Sequence, residues 1–322
     1  MKNRWLPLLV LACPALAFSQ AYPAKPIRVV VPFPPGGADI TARQVAPKMQ
    51  EDLGQPLIIE NRAGANGLIG TEYVSKQPAD GYTLMWTANN PIVTGPVTTP
   101  NETHYDPVRD LSHVSLILTG VVVLATSGTV PANSIAEFID YARKNPGKLS
   151  YASVGVGSSQ HIDGEIIKKR TGIDMVHIPY KGFGQVLPEL VAGRVQLASL
   201  AYTTALPQLA SGKVKILGVT LRPYARLPGV PTVEEAIGGG YERMPAWSAS
   251  LHGPANLPRP VLNRIYASLT KVLAPGTELR NGFENDGFIV NLTPPDVFTA
   301  QVKEDLARTA RLMKESGVKV EQ

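Results

Sequence analysis

The chain reads as an α/β protein, and three observations carry that reading. Short apolar runs rich in β-branched residues recur along it, each followed by a segment with helical periodicity. Its 322 residues are enough for two domains of ordinary size. One strand–turn–helix unit occurs twice, at 27–43 (IRVVVPFPPGGADITAR) and at 149–170 (LSYASVGVGSSQHIDGEIIKKR). Strands alternating with helices predict parallel sheets covered on both faces.

The chain starts with Lys2 and Arg4, then an apolar stretch too short to span a bilayer, then small residues. This is the pattern of a secretory signal peptide over 1–21. Cleavage fits after the Ala15-Leu16-Ala17 site or after Ala21, leaving Tyr22 first. Cys13 is the only cysteine, so the mature chain has no disulfide. Val10-Leu11-Ala12-Cys13 loosely matches a lipoprotein box, although Leu11 and Pro14 fit it poorly. The signal holds two of the 31 basic residues and none of the 26 acidic ones, so the net charge falls from +5 to +3. That small, dispersed excess gives no footprint for nucleic acid. The expected location is the periplasm.

Strands are expected at 29–31, 57–59, 83–86, 121–125, 149–152, 175–178, 195–200 and 216–219. In the first helix Ala42, Val45, Ala46, Met49 and Leu53 share one face, and Gly54 is a natural stop. Pro47 lies inside it and predicts a kink or a late start. Further helices are expected at 68–76, 134–144 (capped by Ser134 or Asn133), 185–192, 260–273 and 295–316, the last ended by Gly317. The two matching units suit one large sheet or one unit in each of two lobes.

Each unit ends at a helix start, where unpaired backbone N–H groups and partial positive charge bind anions without a charged side chain. Gly36-Gly37 either makes a sharp turn or lets a ligand approach those amides. Asp39 is expected to cap the helix, because an acid aimed at an anion would repel it. The glycines of 155–159 lack dinucleotide spacing, those of 64–70 are misplaced, and no phosphate loop is present, so no cofactor is expected. His161 and Glu165 lack a third metal ligand. Ser158, His161 and Asp163 lie too close on one helix for a nucleophile–base–orienter line. His104, His113, His177 and His252 read as structural or exposed.

Nine motifs then occur in order: YPAKPIR from Tyr22, VPFPPGG from Val31, ENRAGANG from Glu60, DGYTL from Asp80, YDP from Tyr105, NPGKL from Asn145, GSSQH from Gly157, HIPYKG from His177 and LPGVPT from Leu227. In these the chain resembles the periplasmic solute-binding proteins of tripartite tricarboxylate transporters, the Bug family, over essentially its whole mature length. The resemblance implies a two-lobed periplasmic-binding-protein (Venus-flytrap) fold, type II-like, with two chain crossovers. Lobe one is then expected at 22–120 plus 246–322, and lobe two at 121–245.

The resemblance also implies a small organic carboxylate in the cleft, a di- or tricarboxylate or an aromatic acid, and an integral-membrane permease as partner of a monomeric receptor. Its first ligand turn maps onto Phe33, Pro34, Pro35, Gly36, Gly37, Ala38 and Asp39. The second maps onto Ser153, Val154, Gly155, Val156, Gly157, Ser158 and Ser159, followed by His161. Thr87, Ala88 and Asn89 form a further wall, with Lys181, Ser199 and Tyr202 as additional candidates. Three features depart from the family pattern. Ala38 stands alone between Gly-Gly and Asp39; the run 198–202 lacks the usual acid; Pro47 has no usual counterpart. An exported hydrolase and a ligand sensor for a membrane receptor are the alternative readings.

Overall fold

The protein is described by a computed structural model covering residues 22–180, 183–220, 224, 226–238 and 240–319. The expected signal segment 1–21, Cys13 and Lys181 lie outside the described residues.

Among the described residues, eleven strands form two sheets. The first contains β1 (Ile27–Val31), β2 (Leu57–Asn61), β3 (Thr83–Ala88), β4 (Leu111–Gly120), β10 (Ser248–Pro254) and β11 (Phe288–Val290), in the order β11-β4-β10-β3-β1-β2. The second contains β5 (Val122–Ser127), β6 (Leu149–Ser153), β7 (Met175–Pro179), β8 (Leu197–Ala201) and β9 (Val214–Val219), in the order β7-β6-β8-β5-β9. The chain therefore passes from one sheet to the other after β4 and returns after β9. These are the two crossovers of a two-lobed binding protein.

The sheets are mixed rather than parallel. β1 runs parallel to β2 and β3, and β6 runs parallel to β7 and β8. β10 is antiparallel to both β3 and β4, and β5 is antiparallel to β8 and β9. The sequence reading found eight strands and missed β4, β10 and β11. β10 reads SASLHGP, with only Ala249 and Leu251 as short apolar alternates and no β-branched residue, yet all seven residues are buried. Its polar side chains are satisfied inside: Ser250 Oγ lies 2.8 Å from His252 Nε2, and the His252 and His113 Nδ1 atoms are 2.8 Å apart.

Among the described residues, eleven α-helices flank these sheets. They are α1 (Gly37–Leu53), α2 (Leu68–Ser75), α3 (Gly95–Thr98), α4 (Ile135–Lys144), α5 (Ser159–Thr171), α6 (Phe183–Val191), α7 (Tyr202–Leu209), α8 (Val233–Ile237), α9 (Arg259–Val272), α10 (Glu278–Asn285) and α11 (Pro295–Ser316). α1 ends at Gly54 in the left-handed conformation, as its sequence predicts. Pro47 neither delays nor ends it. Its ring lies on the exposed face, where water can satisfy the Arg43 carbonyl that lost its donor. Ser134 caps α4 by accepting from the Glu137 amide.

Each sheet is packed on both sides. Val29 and Val31 of β1 join Ala42, Val45 and Met49 of α1 and Ile265 and Leu269 of α9, while Val30 faces Val74, Phe298 and Val302. In the second sheet Tyr151 and Leu197 meet Phe138, Ile162 and Ile166, while Ala152 and Ala198 face Val186 and Leu190. α11 does not stay with the first sheet along its whole length. Phe298 and Val302 lie in the first lobe's core, but Leu312 sits in that of the second, and Arg170 pairs with Glu315 at 2.7 Å. At 1.5 Å per residue its 22 residues reach roughly 33 Å, enough to strap both lobes.

Candidate functional site

A cleft of about 640 Å³ lies between the lobes, and both strand–turn–helix units open onto it. From the first come Phe33, Pro34, Pro35, Gly36, Gly37 and Ala38; from the second come Val154, Val156, Gly157, Ser158, Ser159 and Gln160. Ala88 and Asn89, at the end of β3, form another wall. Among the described residues none that lines this cleft carries a charged side chain, and these residues offer an anion main-chain amides, hydroxyls and carboxamides.

The first turn owes its shape to Gly36, whose φ of 142° side chains rarely adopt, and which serves as the N-cap of α1 without any side-chain bond. Among the described residues, the amides of Gly37 and Ala38 have no acceptor. Asp39 does not cap. It stands at the third helical position with its buried carboxylate turned away from the cleft. There it takes two bonds from Arg43 Nε (2.9 and 3.0 Å) and one from Asn61 Nδ2 (2.9 Å). Burial would raise its pKa, but Arg43, Asn61 and the Gly36 amide outweigh burial and hold it below the usual carboxylate range. Asn61 Nδ2 also donates to the Phe33 carbonyl at 3.0 Å, so this network braces the turn.

The second turn is built on Gly155, with φ 132°, and on Ser158, the N-cap of α5. Ser158 does not present a free hydroxyl. Its Oγ donates to the Gly155 carbonyl at 2.7 Å and accepts from the His161 amide at 3.4 Å. The Gly157 amide is also bonded inward, to His161 Nδ1 at 3.1 Å. Among the described residues the amides of Ser159 and Gln160 have no acceptor, and they face the same cleft as Gly37 and Ala38.

Several expected site residues lie elsewhere. Thr87 is buried in β3 with its hydroxyl on the Ala88 carbonyl, because alternation along the strand turns it inward. Ser153 and Gly155 bond to each other behind the turn. His161 stacks on His177 rather than lining the cleft. Ser199 lies mid-strand in β8, opposite Leu124. Tyr202 starts α7 in the lobe-two core, edge-on to Tyr224, its amide bonded to the Val121 carbonyl. Trp86 is core, with Nε1 donating to Thr41 Oγ1. Arg62 pairs with Glu60 and covers the Tyr73 ring, so it does not reach the cleft either.

The sequence reading missed Asn66, Asn90, Thr94, Thr98, Thr99, Gln160, Pro245 and Trp247, which complete the lining. Asn66 sits within the quoted ENRAGANG motif and takes a positive φ of 50°. Residues 90–98 form a π-helical turn and α3, which have no long periodic signature. Pro245 and Trp247 belong to the return crossing, where Asn89 Nδ2 meets the Pro245 carbonyl at 3.4 Å.

The paper triad of Ser158, His161 and Asp163 is not a unit. The Asp163 carboxylate accepts from the Met244 amide at 2.7 Å and pairs with Arg243, not with His161. Among the described residues no group of three or more His, Cys, Asp or Glu side chains is placed to hold a metal ion. No described helix is long and apolar enough to cross a membrane.

Comparison with known proteins agrees with this architecture. The family described as "Tripartite tricarboxylate transporter family receptor" matches residues 41–318. Protein BugT of Bordetella pertussis is 31% identical over 308 residues, covering 94% of this chain and 92% of BugT. The solved structure of R. palustris Rpa4515 with adipate superposes with a TM-score of 0.76 at 30% identity, covering 92% of this chain and 99% of that one. MatC from Rhodopseudomonas palustris with bound malate gives 0.70 at 28% identity, covering 90% and 99%.

Proposed function

Because the chain belongs to the tripartite tricarboxylate transporter receptor family, a family of solute-binding proteins rather than enzymes, we propose that it captures a small organic carboxylate between its lobes and delivers it to a membrane permease. One observation carries this reading. Among the described residues, two amide pairs without an acceptor, Gly37 with Ala38 and Ser159 with Gln160, belong to opposite lobes of a cleft whose lining carries no charged side chain. Helix-start amides stabilise a carboxylate by direct hydrogen bonds and by the helix dipole. A ligand touching both lobes makes its full set of contacts only when the lobes close, so binding favours the closed form. The closed form is then the one the permease receives. The adipate and malate bound by the two relatives are of this chemical class.

The signal-like start of the sequence supports export, with the periplasm as the place of capture. A thermal-shift screen over organic acids tests the reading. At a hundredfold excess over its dissociation constant a true ligand adds about 2.7 kcal/mol of stability. Its full methyl ester, with every carboxyl group blocked, binds at least roughly tenfold more weakly. Equal stabilisation by acid and ester would overturn the carboxylate assignment.

A further inference from the structure

Behind the second turn lies a side-chain assembly whose members do not themselves line the cleft. The rings of His161 on α5 and His177 on β7 stack with centroids 3.8 Å apart and planes 6° from parallel. Tyr151 of β6 continues the pile, 5.0 Å from His177, and its ring packs directly against the backbone of α5 at Gly164. The Tyr151 hydroxyl donates to Glu165 at 2.6 Å, and Glu165 pairs with Lys168 at 2.9 Å.

The hydrogen bonds in this pile leave little freedom in where the protons sit. Gly157 N–H donates into His161 Nδ1, so the proton of that neutral ring is on Nε2. Ser153 has one hydroxyl proton, given to the Gly155 carbonyl at 3.0 Å. The 2.6 Å contact between Ser153 Oγ and His177 Nε2 therefore has the imidazole as donor. Ser153 Oγ also accepts from the Gly155 amide at 3.1 Å. The two imidazoles thus grip the turn at two points, one through Ser153 on Gly155 and one directly on Gly157.

We propose that His161 and His177 are positioning residues for ligand capture: they spend the Gly155 and Gly157 amides inward and so hold those of Ser159 and Gln160 outward, toward the cleft. This rests on the carboxylate reading above, but it assigns the two histidines no contact with the ligand. Neither ring is among the described residues that line the cleft, and His161 Nδ1 is occupied by the turn itself. The pile is also sensitive to protonation. Burial holds both imidazoles below their ordinary range, His177 to about 4 with the neighbouring His161 as the next cause. The ionisable groups facing them are Glu165 and Lys168, which pair with each other, and Tyr151. A proton on His161 Nδ1 removes the acceptor for Gly157 and sets a cationic ring face to face with His177.

The test uses His161→Phe, which keeps a ring on His177 but has no acceptor, and His161→Asn, whose Oδ1 stands near the position of Nδ1. Amide exchange of Gly157 is followed by NMR in the ligand-free protein, and binding of malate and adipate is measured by calorimetry. His161→Phe is expected to speed Gly157 exchange, and to weaken whichever probe binds the wild type, by roughly tenfold. His161→Asn restores both toward wild type. In the wild type the Gly157 amide shift moves with the imidazole on acidification, an observation that needs no variant. Exchange in His161→Phe within twofold of wild type, or a Gly157 shift blind to that titration, overturns the proposal. Failure of every organic acid to bind the wild type would instead overturn the carboxylate reading and leave the exchange result to decide the role of the histidines.

Discussion

Replacing Gly37 by valine tests the first turn most directly. Gly37 lies at the first position of α1, outside the left-handed region, and a Cβ built there meets no atom within 4 Å. The backbone therefore accepts a side chain, and the branched methyls enter the space in front of the Gly37 and Ala38 amides. Hydrogen bonds to a charged partner contribute about 1.5–3 kcal/mol each. Losing both costs roughly 3–6 kcal/mol, or on the order of 10²–10⁴ in affinity. The ligand-free fold keeps its stability, with a gain of up to about 1 kcal/mol from the less flexible unfolded chain. Calorimetric titration of the acid found by thermal shift, beside thermal melting of the empty protein, separates the two effects. Normal affinity in a folded variant would refute the placement of the carboxylate at this turn. A collapsed melting temperature would refute the claim that the position is structurally open.

Asp39→Ala removes the brace on the same turn and leaves Arg43 and Asn61 without their buried acceptor; a loss of about 1–3 kcal/mol in urea unfolding is expected, with weaker ligand binding. Asp163→Ala orphans the buried Met244 amide and the Arg243 guanidinium, so a loss of about 3 kcal/mol or more is expected, and a change under 1 kcal/mol would show that this link to the return crossing is dispensable. Stability also falls with acid. Burial holds the His113 imidazole down at about 4 and His252 well below its ordinary value, so the folded state refuses protons that the unfolded chain accepts near 6.5. Their contribution is complete above about pH 6.5 and is lost as the pH falls toward 4, on the order of 3 kcal/mol for His113. Asp163, raised to about 6 by burial, gains a proton in the same window and offsets part of that loss. A urea midpoint that stays constant from pH 7 to pH 4.5 would contradict the buried neutral pair.

The first turn of the site was legible because its cause is local. Pro-Phe-Pro-Pro-Gly-Gly between an apolar run and an amphipathic segment can only be a turn into a helix, and the structure places Phe33 to Ala38 on the cleft. The second turn was legible in outline but not in its bonding. Nothing in Gly-Ser-Ser-Gln-His says that Ser158 closes its own cap or that His161 turns back to Gly157. Tyr202 misled because an aromatic residue at a strand end suits a cleft and a core equally. Its choice of the core follows from the neighbouring chain, which brings Tyr224 and the Val121 carbonyl to it.

By itself the sequence determined the α/β class, most of the strands that begin helical units, the stops at Gly54 and Gly317, and the two anion-friendly turns. These depend on periodicity and on residues within a few positions of one another. Tertiary structure alone decided that β10 enters antiparallel between β3 and β4, that α11 straps both lobes, and that Asn66, Thr94 and Trp247 share one cavity wall. The physical reason is that a strand such as SASLHGP is held by neighbours on both sides and by polar partners buried across the sheet. That stabilisation exists only once distant segments have been brought into register.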